Sequence, residues 1–233
     1  MKKLSSTIAI AAVLFSFSCS NNTTQKEESP AVDSAMTTNA NSDLFKAIVI
    51  KHPVKDYDKW KAAYFAHDSV RKVYGITHFV IGRELDNPNN VIIIDKMDDV
   101  NKAKEFSTLP ALKSAMEQAG VSGPPAFSFI DVVRDDNTVI EQKDRVMVEH
   151  RVKDFDAWLK VYDSEGKDVR AANGLIDRGL ARSIDDPNMV YIVFAISDMV
   201  KAKARMGSED LKKIMMDAGV EGPPKITFYK LVD

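Results

Sequence analysis

Three blocks of the sequence occur twice in the same order, and this internal repeat limits the possible folds more than any other feature. The segment from His52 to Trp60 returns from His150 to Trp158, at an offset of 98. The motifs RELDNPN and AGVSGPP return as RSIDDPN and AGVEGPP at an offset of 99, so copy two has one inserted residue before Gly174. The repeat indicates a tandem duplication, and the chain is expected to fold as two similar units.

The repeat also sets the predicted domain boundaries. The first unit spans residues 45–133 and the second spans 145–233, joined by a polar connector at 134–144. Each unit has the pattern of strand, helix, strand, strand, helix, strand. This βαββαβ order is the ferredoxin-like arrangement, an antiparallel four-stranded sheet with both helices on one face.

Copy one illustrates how these elements are recognised. A β-rich run covers 45–52, and Asp56 then caps a helix whose apolar positions recur at helical spacing as far as Tyr74. Two strands follow, and a second helical stretch reaches Ala119 before the last strand. The fold class is therefore α+β.

Two of the predicted strands are apolar on both faces. Residues 91–94 and 190–194 form continuous apolar runs where a half-exposed strand would alternate with polar residues. Helices cover one face of each sheet, and the other face also needs a cover. The sheet of the other copy is the economical solution, which predicts repeat-to-repeat pairing and a closed or nearly closed barrel within one chain.

These features resemble the dimeric α+β barrel superfamily, which contains the antibiotic biosynthesis monooxygenase-like domains. The resemblance covers almost all of 45–233 and rests on the topology, the helix starts KDYDKW and KDFDAW, the DxPN turns and the AGVxGPP segments. It implies an intramolecular dimeric α+β barrel. Members include cofactor-free monooxygenases, haem-degrading enzymes, muconolactone isomerases and ligand sensors, so the resemblance leaves the activity open.

The N-terminal residues have the pattern of an export signal. Lys2 and Lys3 precede an apolar run at 8–17 that is too short to span a bilayer. The tetrapeptide ending at Cys19 resembles the lipobox of bacterial lipoproteins, although Ser16 stands where the motif usually has leucine, so a cleaved secretory signal remains an alternative. Cys19 is the only cysteine, which excludes an internal disulfide and favours an acylation site.

The following segment, 20–43, is polar and contains no aromatic residue, so it is interpreted as a disordered tether. Without the signal peptide of residues 1–19, the chain has 30 basic and 34 acidic residues, a net charge of −4. No basic block is present, which argues against nucleic acid as a partner. Membrane contact is expected through the lipid anchor only, with the protein in the bacterial cell envelope.

All four histidines lie in the repeats, and His52 and His150 occupy equivalent positions at the ends of the first strands. One interpretation places them at the mouths of two pockets as titratable groups. In the other, each imidazole stabilises the strand-to-helix turn by bonding a backbone group.

The first helix of copy one carries a stripe of aromatic and polar side chains at steps of three and four. His67 and Arg71 either line a cavity and bind an anionic or carbonyl group, or emerge at the surface. Copy two has Glu165 at the polar position, so the copies are predicted to differ there. The stripe consists of Tyr57, Trp60, Tyr64, His67, Arg71 and Tyr74, and Trp60 is interpreted mainly as a packing residue, like Trp158.

A second difference between the copies falls on the second strand, where His78 aligns with Asp177. If that face looks into a cavity, both groups are candidates for acid/base chemistry. At an exposed edge they would be solvated. Arg83 and Arg182 are present in both copies and are expected to pair with the aspartates of the adjacent turns, with anion binding as the alternative.

Several mechanisms have no support in the sequence. It contains no Gly-rich phosphate loop, no nucleophile elbow and no HExxH motif. A metal site built from His67, His78 and a carboxylate such as Glu165 or Asp177 lacks any short ligand spacing, so no metal site is predicted.

The leading hypothesis is a binding module that holds a small, partly apolar ligand between sheet and helices. Copy one, with His67, Arg71 and His78, is the expected working pocket, and no cofactor is assigned. The alternative is a cofactor-free or haem-using monooxygenase or isomerase of the antibiotic biosynthesis monooxygenase-like type. A third reading is a structural protein of the envelope.

Overall fold

The computed structural model describes residues 44–232. The expected signal peptide, Cys19 and the tether at 20–43 lie outside the described residues. Eight strands are formed: β1 Lys46–Pro53, β2 Ile76–Glu84, β3 Asn90–Met97, β4 Ala126–Asp135, β5 Asp144–Val152, β6 Leu175–Ser183, β7 Met189–Ile196 and β8 Val220–Leu231. The helices of the same region are α1 Tyr57–Ala66, α2 Asp68–Val73, α3 Val100–Thr108, α4 Pro110–Gln118, α5 Phe155–Glu165, α6 Lys167–Ala172, α7 Met199–Met206 and α8 Glu209–Asp217.

The eight strands close into one antiparallel barrel in the order β1-β3-β2-β8-β5-β7-β6-β4, with β4 returning to β1. The first unit therefore has the strand order β4-β1-β3-β2 and the second has β8-β5-β7-β6, each of them ferredoxin-like. Two seams, β2 with β8 and β4 with β6, join the units. The predicted fold class and the pairing of the two repeats within one chain are confirmed.

The helical stretches expected from the sequence are each divided into two shorter helices. Asp56 and Asp154 cap α1 and α5 as the pattern indicates, with side chains that accept from backbone N–H groups at 3.0 and 2.7 Å. The helix of copy one breaks at His67, and that of copy two breaks at Gly166, which has a φ of +79°. Leu109 is extended because it precedes Pro110, which separates α3 from α4.

Three apolar clusters hold the molecule together, which explains why the strands are apolar on both faces. The barrel interior contains side chains of both units, and each outer face packs on its own helices. Within residues 44–232, no helix is long and apolar enough to cross a membrane. The interior cluster consists of Ala47, Val49, Ile92, Ile130, Val132, Met147, Ala181, Tyr191 and Tyr229.

Candidate functional site

Two equivalent pockets lie between the outer face of the barrel wall and the helices, one in each unit. The pocket of the first unit has a volume of about 70 Å³, and that of the second about 100 Å³. Both linings are mainly aliphatic and aromatic, with four characteristic side chains at equivalent positions. These are His52, Trp60, Tyr64 and Arg71 in the first unit and His150, Trp158, Tyr162 and Arg170 in the second.

A histidine packed edge-on against a tryptophan lines each pocket. The ring centres are 5.5 Å apart for His52 and Trp60, and 5.4 Å apart for His150 and Trp158. Both imidazoles are only 4% exposed. Burial disfavours the charged form and lowers the pKa of each histidine to about 4, so both rings are neutral at neutral pH.

The ring nitrogens of these histidines have few partners among the described residues. The buried Nδ1 of His52 has no partner, and a backbone contact with Pro53 only partly opposes the lowering of the pKa of His52 by burial. Neither nitrogen of His150 has a partner. The interpretation that both imidazoles stabilise the turn by a backbone bond is therefore wrong for His150. A neutral imidazole has one donor and one acceptor, and both remain available in the second pocket.

An arginine, a tyrosine and a carboxylate form a buried network beside the first pocket. The Arg71 guanidinium stacks 3.8 Å from the ring centre of Tyr64 and donates to its carbonyl oxygen at 2.5 Å. The Tyr64 hydroxyl donates to Asp95 at 2.7 Å and lies 3.0 Å from Nδ1 of His78. Asp95 is fully buried, with the Arg71 Nε 3.9 Å away. The network orients Tyr64, while Nε of Arg71 and Oδ2 of Asp95 make no hydrogen bond among the described residues.

The second unit contains the same stacked pair with a tighter ion pair. Arg170 stacks 4.0 Å from the ring centre of Tyr162 and donates to both carboxylate oxygens of Asp177, at 2.8 and 2.6 Å. Burial alone would lower the pKa of Arg170, but these hydrogen bonds raise it overall. Burial also raises the pKa of Tyr162. Glu165 lies 3.5 Å from Arg170 and 2.7 Å from Arg205, so four charged groups meet beside this pocket.

The carboxylate that faces the arginine comes from a different strand in each unit. His78 and Asp95 are opposite each other on β2 and β3, and Asp177 and Phe194 are the equivalent opposite pair on β6 and β7. The carboxylate is thus kept at the same place in space while it moves between neighbouring strands. Asp177 and His78 are equivalent in sequence, but only Asp177 pairs directly with its arginine.

Sequence reasoning missed Asp95 and Arg170. The copies were expected to differ at the end of the first helix, yet Arg170 occupies the place of Arg71. The offset of 99 that holds after the insertion would have aligned these two arginines. Asp95 carries no comparable signal, because its partner residue in copy two is Phe194. Only the strand register brings it to Tyr64.

The remaining predicted residues fall in two places. His67 lines the first pocket at the break between α1 and α2, where its buried Nδ1 has no partner among the described residues. His78 lies beside that pocket in the tyrosine network. His67, His78 and the carboxylates Glu165 and Asp177 are distributed over both units, and residues 44–232 contain no group of three or more metal-ligating side chains.

The arginines beside the hairpin turns do not pair with the turn aspartates as expected. Arg83 donates to the carbonyl oxygen of Pro88 at 2.6 Å and lies 4.1 Å from the ring centre of Tyr57. Arg182 lies 4.9 Å from the ring centre of Phe155. Both guanidinium groups therefore cover an aromatic ring at the start of the first helix of their unit.

Solved structures provide the comparison with known proteins. The sequence matches no family model, and the comparison with curated proteins found no match. A candidate monooxygenase of Lactobacillus acidophilus NCFM matches with a TM-score of 0.51 at 14% identity, covering 80% of this chain and 94% of its own. A candidate monooxygenase of Fusobacterium nucleatum gives 0.53 at 13% identity (82% and 93% coverage), and an anthrone oxidase-like protein gives 0.54 at 10% identity (82% and 92%).

Each repeat is well under half of this chain, so alignments of this length include both units. The chain has the fold of the dimeric α+β barrels. In this dimeric α+β barrel the two units belong to one chain, and the two pockets lie outside the barrel wall beneath the helices. At these identities the comparisons establish the fold only, and any argument about function has to come from the residues of the pockets.

Proposed function

We propose that this protein binds a small, mainly apolar ligand carrying a hydroxyl or carbonyl group in the pocket between sheet and helices of the second unit. The observation that carries the proposal is the imidazole of His150, which is buried in an apolar pocket with both nitrogens unpaired among the described residues. A buried polar group without a partner costs free energy that a ligand would recover.

The chemistry of the pocket selects the ligand class. The neutral imidazole offers one N–H donor and one acceptor nitrogen, which a hydroxyl group satisfies through its own acceptor and donor. The indole of Trp158 lies against the imidazole and offers an aromatic face. The volume of about 100 Å³ is of the order of the engineered cavity of about 150 Å³ that takes up benzene in another protein, so a single ring or a short branched chain fits.

Binding is favoured over proton abstraction by the low basicity of the histidines. With a pKa of about 4, His150 holds a proton poorly. Taking a proton from a phenol of pKa about 10 would cost about 8 kcal/mol at about 1.4 kcal/mol per pKa unit. An oxygenase or isomerase that begins with such a step has less support here than a binding protein.

Haem does not fit either pocket. A porphyrin has four pyrrole rings, and the cavities of about 70 and 100 Å³ accept about one ring. The proposal also moves the main site from the first unit, which the sequence favoured, to the second. The second pocket is larger, and both nitrogens of its histidine are buried without a partner, whereas in His52 this holds for Nδ1 alone.

The location of the protein remains a proposal from the sequence: an exported lipoprotein whose Cys19 is acylated and whose residues 20–43 form a tether in the cell envelope. The lipobox-like tetrapeptide and the lone cysteine support it. Metabolic labelling with an alkyne fatty acid tests it, because Cys19→Ser should abolish the label. Equal labelling of both forms would contradict acylation at this residue.

Ligand binding is tested with p-cresol and p-xylene, which differ only by a hydroxyl and a methyl group. The chain has two tryptophans, so Trp60→Phe leaves Trp158 as the reporter of the second pocket. We expect p-cresol to change the fluorescence of Trp158, excited at the red edge of its absorption, and to bind about tenfold more tightly than p-xylene. The additional variant His150→Phe should remove this preference.

His52→Phe in the same background is the matched control and should leave the preference intact. Equal affinities of the two compounds, or a preference that survives His150→Phe, would contradict the proposal.

A further inference from the structure

A third cavity lies inside the barrel, separate from the two pockets beneath the helices. Its volume is about 150 Å³, and side chains of both units line it. It contains neither tryptophan nor histidine. The apolar part of its wall includes Met147, Tyr191, Tyr229 and Leu231, and Arg145 and Arg178 supply guanidinium groups.

The two units contribute unequally to this cavity. Arg178 of the second unit corresponds to Phe79 of the first at the offset of 99, and both line the cavity. Arg145 corresponds to Ala47 at the offset of 98. Equivalent positions are thus apolar in one unit and cationic in the other, which gives the cavity an apolar side and a positive side.

Arg145 is the charge in this cavity that lacks compensation. It is 7% exposed, and its Nη1 donates to the carbonyl oxygens of Gln142 and Asp144 at 2.6 and 3.1 Å. Among the described residues, no carboxylate oxygen lies within 4.0 Å of its nitrogens, and Nε and Nη2 make no hydrogen bond. Arg178 has a partner, Asp136, at 3.5 Å.

The other acid of the lining does not neutralise Arg145. Burial raises the pKa of Asp135, and Lys96 and Arg178 are the cations that oppose this rise. Burial also lowers the pKa of Arg145 itself, with Arg178 adding to this effect and Tyr229 and Asp144 opposing it. A buried guanidinium with an unused edge is a ready partner for a carboxylate.

We propose that the interior cavity is a second ligand site, which takes a small monocarboxylic acid with an apolar body. The body occupies the space between Met147, Tyr191 and Tyr229, and the carboxylate accepts hydrogen bonds from the free edge of Arg145. The size is that of one aromatic ring or a short acyl chain, by the same comparison with a benzene-sized cavity.

Two glycines shape this cavity, one by admitting the ring of Tyr229 and the other by leaving space in the lining. A Cβ at Gly82 would lie 2.2 Å from the ring of Tyr229, so this ring can pack here only because residue 82 has no side chain. A Cβ at Gly179 would meet nothing closer than 3.9 Å, and both Gly179 and its counterpart Val80 line the cavity. A side chain at Gly179 can therefore begin without a close contact at its Cβ.

The test uses benzoate as the probe, with benzamide as its uncharged match. The reporter is the methyl NMR signal of Met147, one of 10 methionines, identified by its loss in Met147→Leu. We expect benzoate to shift this signal and to leave the fluorescence of Trp60 and Trp158 unchanged. A fluorescence response with no Met147 shift would place benzoate beneath the helices and overturn the inference.

Two variants of the full chain examine the charge and the space independently. Arg145→Met should weaken benzoate binding at least tenfold and benzamide binding far less. Gly179→Val, which introduces the residue of copy one, should weaken both probes at least tenfold while the circular dichroism spectrum stays unchanged. Benzoate affinity that is unaffected by Gly179→Val, or equal losses for both probes in Arg145→Met, would overturn the inference.

Discussion

At the scale of single residues, burial decides what the histidines do. His52 and His150 are equivalent in sequence, equally buried and equally packed on tryptophan, yet they differ in how many nitrogens find a partner. His78, with its side chain 21% exposed, instead joins Tyr64 and Asp95. Histidine thus lines a pocket at positions 52 and 150 and belongs to a hydrogen-bond network at position 78.

The buried histidines make stability depend on pH. Their pKa is 6.5 when unfolded and about 4 when folded, so stability is complete above pH 6.5 and is lost as the pH falls towards 4. Between pH 7.5 and pH 5, each of the two histidines should lower the free energy of unfolding by about 2 kcal/mol. Urea unfolding at the two pH values measures this loss. His150→Phe should reduce the difference by about 2 kcal/mol, and an unchanged difference would mean that His150 does not titrate in this way.

At the scale of elements, local chemistry places the breaks within the helical segments and the turns that follow. Pro110 separates α3 from α4 in the first unit, and Gly166 separates α5 from α6 in the second. Gly174 follows α6, and its carbonyl oxygen accepts a hydrogen bond from the backbone N–H of Ser197 at 3.0 Å. The breaks at His67 and Gly166 lie between each tyrosine and its arginine, and they let Arg71 stack on Tyr64 and Arg170 stack on Tyr162.

Gly166 and Gly174 provide a matched pair for testing this geometry. Both have a φ of +79°, and Gly166 combines it with a ψ of 147°, a region that essentially only glycine adopts, so alanine at either position should cost about 1–3 kcal/mol from backbone strain. A Cβ at Gly174 would also lie 2.5 Å from the carbonyl oxygen of Asp198, whereas none of the described atoms lies within 4 Å at Gly166. Gly174→Ala should therefore lower the free energy of unfolding by about 1 kcal/mol or more beyond Gly166→Ala. Equal losses in denaturant unfolding would contradict this close contact.

At the scale of the whole molecule, the two units are held together by strand pairing at both seams and by charge inside the barrel. Lys51 and Glu149 occupy equivalent positions, yet one is basic and the other acidic, and they form a largely buried ion pair between the units. Burial lowers the pKa of Lys51, and Glu149 opposes that effect. Two copies of the first unit would place lysine against lysine here, so the pair favours association of unlike units.

Cutting the chain tests this arrangement. With a protease site inserted in the connector at 136–143, the two fragments should stay together on size exclusion after cleavage. Lys51→Glu should weaken their association at least a hundredfold, since a buried charge without its partner costs about 3–5 kcal/mol. The double variant Lys51→Glu with Glu149→Lys should restore part of the association. The recovery is incomplete because Lys225, which lies 3.9 Å from Glu149, would then face a second lysine. Two stable fragments that separate after cleavage would refute the shared barrel.

The sequence by itself determined the two units, their ferredoxin-like order, the helix caps and the covered second face of each sheet, because these depend on local periodicity and on an internal repeat. It also identified His52, Trp60, Tyr64, His67 and Arg71, which all line one pocket, since a single helical stripe and the strand before it carry them. Only the tertiary structure decided the rest. Partners such as Asp95 and the interior cavity depend on strand register and on barrel closure, which bring together residues that share no pattern along the chain.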